Sequence, residues 1–177
     1  AGNIDTLVIL GGNPVYDAPS DAAFANAIKN AKTSIHVSAF VDETSKLCHW
    51  HVPRSHYLEA WGDARSYDGT VSVQQPLIHP LSSESRSVIE VLAALGGNDH
   101  AAGYDIVRET FKQWIDKNRF ERDWRQVLHD GLLAGSAHDA VTPKVSVGLP
   151  DKVNAAAAKS ADLELVFASD YCVYDGR

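Results

Sequence analysis

The sequence predicts an α/β fold: a doubly wound, mostly parallel sheet flanked by helices, then an α-helical part and the start of a further β domain. The residues at 7–10 are four consecutive apolar side chains, a pattern typical of a strand covered on both faces of a parallel sheet. A helical repeat of apolar residues follows. Alternation over 34–40 then indicates the second strand of a right-handed βαβ unit.

The loop after the first strand is the main candidate binding site. It consists of Gly11, Gly12, Asn13 and Pro14. Glycine has no Cβ, so the backbone can adopt positive φ and approach a ligand closely. Open α/β sheets bind ligands at the carboxyl ends of their strands, where this loop falls. Two interpretations remain: a nucleotide or phosphate loop whose amides face an anion, or an ordinary βα turn.

Two helical segments complete this first half of the sheet. Ser20 or Asp21 can cap a helix, and apolar residues at helical spacing carry it to about Lys32. A short helical turn is predicted from Asp42 to Leu47.

Histidines cluster in the next segment. If the segment is extended, His49 and His51 point to one face, and with His56 they are candidate metal ligands. The alternative is a short strand whose histidines are hydrogen-bonded at a sheet edge or subunit interface. Cys48 is interpreted as a small buried residue. With Cys172 far along the chain, a disulfide and two thiols both remain open.

A loop-rich region with many aromatic and polar residues follows. A turn at Asp68-Gly69 precedes a predicted strand over 70–73, and prolines keep 75–80 out of a helix. We expect residues 59–75 to line a cleft or an interface. The candidate site residues here are Glu59, Asp63, Arg65 and Asp68, with turn capping and mutual ion pairs as the alternative.

The remaining chain is predicted to be helical and then to change domain. Amphipathic helices are predicted over 85–95, 104–115 and 120–133, and a short strand over 144–147. Residues 163–167 form a further predicted strand. We therefore expect an α/β domain over 1–134, a linker over 135–162, and the truncated start of a carboxyl-terminal β domain over 163–177.

Composition narrows the classes of function. The 177 residues are 45% apolar and 22% charged, as in globular domains. A net charge of −7 argues against nucleic acid or an anionic membrane surface as a partner. The apolar runs are too short for a transmembrane helix, so no direct membrane insertion is expected. No cysteine spacing fits an iron–sulfur or zinc site. The first residue, Ala1, and the absence of methionine suggest an excised or processed piece.

The order of several short motifs resembles the molybdopterin oxidoreductase family. The resemblance covers about 5–95 and matches the second α/β subdomain of the large subunit. The motifs are Leu10-Gly11-Gly12-Asn13-Pro14, Pro19-Ser20-Asp21, Val41-Asp42-Glu43-Thr44, Val52-Pro53, Leu58-Glu59 with Gly62, and Asp68-Gly69. Residues 48–53 and 66–70 depart from the typical catalytic members. With Trp61-Gly62-Asp63-Ala64-Arg65 and Gln75-Pro76-Leu77-Ile78, this variant is similar to the molybdopterin-type iron–sulfur subunit of bacterial alternative complex III, a quinol:electron-acceptor oxidoreductase.

This resemblance implies a fragment of a respiratory electron-transfer subunit that serves as a scaffold, with no catalytic residue and no bound pterin of its own. The parent family carries molybdopterin guanine dinucleotide and 4Fe–4S clusters. The implied partners are the other domains of the parent chain and membrane-bound respiratory subunits, at the periplasmic face of a bacterial cytoplasmic membrane.

Two alternatives follow from the same residues. The first is the cofactor-binding domain of an active molybdenum or tungsten bis-pterin oxidoreductase, in which Gly11, Gly12, Asn13 and Pro14 contact the cofactor. The second is a stand-alone metal-dependent enzyme that uses His49, His51 and His56.

Overall fold

A computed structural model describes residues 4–149 and Cys172. The chain divides into two compact units, Ala1–His138 and Asp139–Arg177. In the second unit, the strand predicted over 144–147 is wrong, because these residues form no strand. The strand predicted over 163–167 lies outside the described residues. No helix in the described part of the chain is long and apolar enough to cross a membrane.

The first unit contains the predicted parallel sheet. Its strands are β1 (Thr6–Leu10), β2 (Thr33–Ser38) and β3 (Trp50–Pro53), in the order β1-β2-β3. Both pairings are parallel, with Val8 opposite Ile35 and Val37 opposite Val52. The prediction of a mixed α/β fold with a parallel sheet is confirmed.

The two faces of this sheet differ in chemistry. Val8, Ile35 and Val52 line a cleft of about 490 Å³ together with residues of α4 (Val88–Leu95), so this face is apolar. The opposite face carries Ser34, His36 and Ser38 of β2, which are all buried. Buried polar groups need hydrogen-bond partners, and here the segment between β2 and β3, together with β3 itself, supplies them. The pattern of β2 is therefore apolar on one face and polar on the other.

The connection from β1 to β2 is not the single helix that the sequence predicts over 20–32. It consists of α1 (Pro14–Asp17), a 3-10 turn at Ser20–Ala22, α2 (Phe24–Ala27) and a second 3-10 turn at Ile28–Asn30. The break falls at Ala23, whose φ of 46° is left-handed and cannot continue a right-handed helix.

The connection from β2 to β3 agrees with its prediction. Helix α3 (Glu43–Leu47) begins after Asp42, whose carboxylate accepts a hydrogen bond from the backbone N–H of Ser45 at 2.8 Å. This is the N-cap geometry expected of an aspartate.

A two-stranded antiparallel hairpin follows, formed by β4 (Gly62–Arg65) and β5 (Val71–Gln74). The turn predicted at Asp68-Gly69 joins them, and Gly69 has a φ of 93°, which favours glycine. Residues 75–80 form neither helix nor strand, as predicted. Helix α4 begins with a capping box between Ser87 and Glu90.

The last two helices pack on the hairpin and form the main apolar core. They are α5 (Gly103–Phe111) and α6 (Phe120–Asp130), each ending a few residues before its predicted end. The largest buried side chains of the core are Trp124 and Phe111. Its other buried members are Val71, Val107, Ile115, Phe120 and Val127.

The first residues of the predicted linker are hydrogen-bonded to the hairpin. The hydroxyl of Ser136 accepts from the backbone N–H of Val71 at 2.9 Å. The backbone N–H of His138 donates to the carbonyl of Asp68 at 2.7 Å. Residues 135–138 therefore belong to the first compact unit.

Candidate functional site

The candidate loop follows the carboxyl end of β1 and therefore lies at the edge of the sheet where the three parallel strands end. Gly11 and Gly12 follow β1 and have φ values of 77° and 70°. The backbone N–H of Gly11 donates to the carbonyl of Val37 at 2.8 Å, which extends the β1–β2 pairing by one bond. Within residues 4–149, the N–H groups of Gly12 and Asn13 donate to no acceptor. Gly12 is exposed and Asn13 is buried, so only the Gly12 amide belongs to a residue that a ligand can reach.

Arg54 places a positive charge beside these amides. It follows β3, and its Nη1 lies 2.7 Å from the position that a Cβ on Gly11 would occupy. Its exposed guanidinium makes no ion pair with the described residues. The free Gly12 amide next to the unpaired guanidinium forms a donor surface that suits an anionic ligand.

The side chain of Asn13 connects the loop to α3 through hydrogen bonds. This residue is buried, and its Nδ2 donates to Oε2 of Glu43 at 2.6 Å. Its Oδ1 accepts from the hydroxyl of Thr44 at 2.7 Å and from the Thr44 N–H at 3.2 Å. The hydrogen bond from Asn13 lowers the pKa of Glu43. These bonds occupy every polar atom of the Asn13 side chain apart from one amide hydrogen.

His36 holds the loop from the sheet. It is fully buried, its Nε2 lies 3.1 Å from the carbonyl oxygen of Gly12, and its Nδ1 lies 2.8 Å from the hydroxyl of Ser45. Asp42 lies nearby, with Oδ1 3.4 Å from His36 Nδ1. Burial acts to raise the pKa of Asp42, but hydrogen bonds from Ser45 and the nearby His36 outweigh it, so the pKa is lowered.

The three candidate metal ligands have separate hydrogen-bond partners. His49 Nδ1 accepts from the backbone N–H of Ser34 at 3.1 Å, and His51 Nε2 donates to the carbonyl of Ser38 at 3.2 Å. His56 Nδ1 accepts from the N–H of Leu58 at 3.3 Å and caps a 3-10 turn. Among the described residues, no three His, Cys, Asp or Glu side chains converge in a way that could hold a metal.

Cys48 precedes these histidines and is a half-buried free thiol. Burial raises its pKa, and a weaker opposing effect comes from a hydrogen bond with Ser34. A thiol of raised pKa is a poor nucleophile at neutral pH.

Three of the four charged candidates, Glu59, Arg65 and Asp68, form hydrogen bonds with the local backbone. Glu59 reaches back to the N–H of His56 at 3.4 Å, and Arg65 Nε donates to the carbonyl of Gly69 at 3.0 Å. Asp68 accepts from the N–H of Thr70 at 3.0 Å, and hydrogen bonds from Ser66 and Thr70 lower its pKa.

Asp63 is the exception in this group, because burial raises its pKa and no hydrogen bond from another residue offsets that effect. Part of the 59–75 segment, including Ala60 and Gly62, lines a cleft of about 370 Å³, but none of the four charged candidates does. Arg54 lies in this cleft as well as beside Gly11. The other polar and aromatic lining residues include His56, Tyr57, Trp61 and Gln74.

The sequence pattern marks the loop but not the residues that hold it. His36 is visible in the sequence only as a polar residue alternating within a predicted strand, and Arg54 lies outside every motif. The parallel pairing of β1, β2 and β3 brings both residues to Gly11–Gly12. This pairing joins residues that are far apart in sequence, so local sequence patterns do not reveal it.

Comparison with known proteins identifies a relative of part of the chain. No family model matches the chain. The chain is 28% identical over 112 residues to a protein of Nitratidesulfovibrio vulgaris named "Menaquinone reductase, molybdopterin-binding-like subunit". The alignment covers 62% of this chain but 16% of the relative, so the chain corresponds to a small part of that protein's length.

Proposed function

We propose that this chain is a domain of a molybdopterin oxidoreductase-like subunit in a respiratory electron-transfer complex, where it acts as a scaffold rather than a catalyst. The observation that carries the proposal is the similarity to a menaquinone reductase subunit whose name describes it as molybdopterin-binding-like. The motif order of the sequence supports the same family, and the parallel α/β sheet agrees with it.

The described side chains support a scaffold role. The buried polar groups around the loop, Asn13, His36, Thr44 and Ser45, are used in bonds to one another and to the backbone. Such a network fixes the backbone of the loop, because its polar atoms are engaged with one another. Large apolar side chains are exposed nearby in sequence, including Phe40, Tyr57, Leu77 and Leu81. We infer that other domains and subunits of the complex cover them.

The second candidate function is cofactor binding in an active enzyme, and the loop itself favours it. The free amide of Gly12 and the guanidinium of Arg54 suit the phosphate groups of a pterin dinucleotide. When bound, such a cofactor supplies the redox chemistry, while the loop, including Gly11 and Pro14, would bind and orient it.

For the complex we propose quinol oxidation at the periplasmic face of a bacterial membrane, as the motif resemblance implies. The name of the relative describes the opposite direction, reduction of menaquinone. Assays of the intact complex with a reduced and an oxidised quinone would decide the direction. If the complex reduces the oxidised quinone and does not oxidise the quinol, quinone reduction would replace quinol oxidation in this proposal.

Mass spectrometry and elemental analysis of the full-length parent protein test both candidates. The denatured protein is examined for a released pterin, and the native protein for molybdenum, tungsten, iron and zinc. Iron without pterin, molybdenum or tungsten supports the scaffold. A released pterin dinucleotide would replace it with the cofactor-binding function, and neither iron nor pterin would overturn both. Stoichiometric zinc lost on changing His49, His51 and His56 to alanine would establish the metal-dependent alternative.

A further inference from the structure

Strand β1 has the composition of a central strand but lies at the edge of the sheet. Its residues 7–10 are all apolar, a pattern typical of strands that are covered on both faces. In the described part of the chain β1 pairs with β2 alone, and none of its residues is buried. Strand β2, which has a neighbour on each side, is mostly buried. The described residues therefore leave apolar surface on β1 uncovered.

The outer edge of β1 presents backbone hydrogen-bonding groups at alternate residues. At the two ends of the β1–β2 pairing, the N–H of Gly11 donates to β2 at 2.8 Å and the carbonyl of Asp5 accepts from β2 at 3.0 Å. Because alternate residues of a parallel strand bond to the same neighbour, Thr6, Val8 and Leu10 direct their N–H and C=O groups outward. The strand contains no charge or proline that would block pairing. Such an edge is a template for a further strand.

The apolar face of the sheet is open beside the same strand. Val8, Ile35 and Val52 come from the three strands and line the cleft of about 490 Å³ together with residues of α4. None of the three is buried, and Leu95 of α4, which also lines the cleft, is 58% exposed. Helix α4 therefore covers this face only in part.

The handedness of the connections explains why this face is open. Helix α3 lies on the polar face, because the hydroxyl of Ser45 is 2.8 Å from Nδ1 of His36. Helix α1 lies on the same side, since the N–H of Val15 donates to the hydroxyl of Thr44 at 3.0 Å. Right-handed connections that cross a sheet in one direction place their helices on one face, and those in the opposite direction use the other face. A strand on the outer side of β1 would therefore bring its helix to the apolar face.

We propose that one strand and one helix of the parent chain complete this sheet: the strand pairs in parallel with the outer edge of β1, and the helix packs on Val8, Ile35 and Leu95. A single βα unit accounts for both uncovered surfaces. The aligned region is 16% of the relative's length, so a parent of that kind has enough further chain to supply the unit. The proposal rests on the proposed function for the source of the unit, and it specifies which surface of this domain the parent covers.

Amide hydrogen exchange compares the 177-residue chain with the full-length parent, residue by residue, by mass spectrometry with fragmentation. In the chain alone, we expect the inward amides of Leu7 and Ile9 to be protected. The outward amides of Val8 and Leu10 should exchange about tenfold faster or more, the effect of one missing hydrogen bond. In the parent, Val8 and Leu10 should become as protected as Leu7 and Ile9.

Three results would overturn the proposal. The first is outward amides that exchange equally fast in the chain and in the parent. The second is protection of Val8 and Leu10 in the monomeric 177-residue chain, which would mean that this chain itself supplies the covering strand. The third is protection that appears only as the chain dimerises, followed by light scattering, which would assign the edge to a second copy.

Variants at Val8 provide a second measurement. Val8→Pro removes an N–H that faces outward and keeps the pairing with β2, so an edge strand tolerates it, whereas a further strand loses a hydrogen bond. Val8→Ala shortens the side chain but keeps the N–H. In the parent, we expect fast exchange at Leu10 in Val8→Pro and continued protection in Val8→Ala. Equal exchange in the two variants would overturn the proposal.

If Val8→Pro does not fold, the same comparison uses Leu10→Pro and Leu10→Ala, with the exchange of Val8 as the readout. The iron and pterin contents of the parent test the scaffold and cofactor-binding candidates separately. Failure of the strand pairing would therefore leave the proposed function standing, and failure of the proposed function would leave the exchange result interpretable.

Discussion

The guanidinium Nη1 of Arg54 lies 2.7 Å from the point at which a Cβ on Gly11 would sit. Gly11→Ala therefore has two effects. A side chain at φ of 77° strains the backbone by about 1–2 kcal/mol, and the new methyl group displaces Arg54 from the loop. We expect a lower free energy of unfolding in urea. We also expect weaker binding of inorganic pyrophosphate, used as a probe for the phosphate groups of the cofactor-binding candidate, by isothermal titration calorimetry.

Gly97→Ala is the matched control for this prediction. Gly97 has a similar positive φ of 92°, but a Cβ there would meet no atom within 4 Å. We expect the same loss of stability from backbone strain and an unchanged affinity for pyrophosphate. Equal binding losses in both variants would show that Arg54 has no part in the site.

Asn13 is predicted to be the main stabilising contact between the loop and α3. Asn13→Ala leaves the buried hydroxyl of Thr44 without its acceptor at 2.7 Å, and removes the donor to Glu43. Since an unsatisfied buried group costs about 1–3 kcal/mol, we expect a loss of that size in the free energy of unfolding. Asn98→Ala, at an exposed position, should change it by less than about 0.5 kcal/mol. Similar losses at both positions would contradict this role for Asn13.

Acid should destabilise the chain partly through Asp42. Its folded-state pKa is lowered from the ordinary value of 3.8, since hydrogen bonds from Ser45 and the nearby His36 outweigh burial. A group with a lowered pKa stabilises the fold above its unfolded value, and that contribution is lost as pH falls through the folded value. We therefore expect Asp42→Asn to reduce the loss of unfolding free energy below about pH 4.

The measurement is urea unfolding between pH 7 and the acid limit of the folded state. Asp99→Asn, at an exposed residue of the same type, serves as the control and should leave the acid slope close to that of the natural chain. An Asp42→Asn slope equal to that of the natural chain would show that its interactions with Ser45 and His36 are as strong when the carboxyl is protonated.

Local patterns predicted most of the elements, because each depends on residues close in sequence. The apolar run of β1, the Asp42 cap of α3 and the Asp68-Gly69 turn are examples. The prediction of a single helix over 20–32 is wrong, although the alanines in this segment favour helix formation. The chain instead adopts a left-handed conformation at Ala23 and buries Ile28. Tertiary packing overrides propensity there.

Local patterns also predicted only part of the candidate site. The glycine pair marked the loop, because positive φ is a local requirement that glycine meets. His36 and Arg54 reach the loop only through strand pairings, which join residues far apart in sequence. The buried polar face of β2 also gave no signal beyond alternation, since Ser34, His36 and Ser38 look like residues that face solvent.

The aromatic core between the hairpin and the last two helices should dominate the stability of the first unit. Trp124 is almost fully buried, lies 5.0 Å from Phe111 between ring centroids, and donates from Nε1 to the hydroxyl of Tyr104 at 3.1 Å. Replacing a buried tryptophan by alanine removes its apolar contacts and leaves a cavity. We expect Trp124→Ala to cost about 3–5 kcal/mol in the free energy of unfolding.

Two further variants separate the parts of that effect. Tyr104→Phe removes only the acceptor of the indole hydrogen bond, so it should cost about 1–3 kcal/mol through the unpaired Nε1–H. Trp114→Ala is the matched control, because Trp114 also packs against Phe111 but is 42% exposed, and the loss should be well below that of Trp124. Equal losses for the two tryptophans in thermal and urea unfolding would mean that the core does not centre on Trp124. A larger loss in Tyr104→Phe than in Trp124→Ala would place the stabilising interaction in the hydrogen bond rather than in apolar packing.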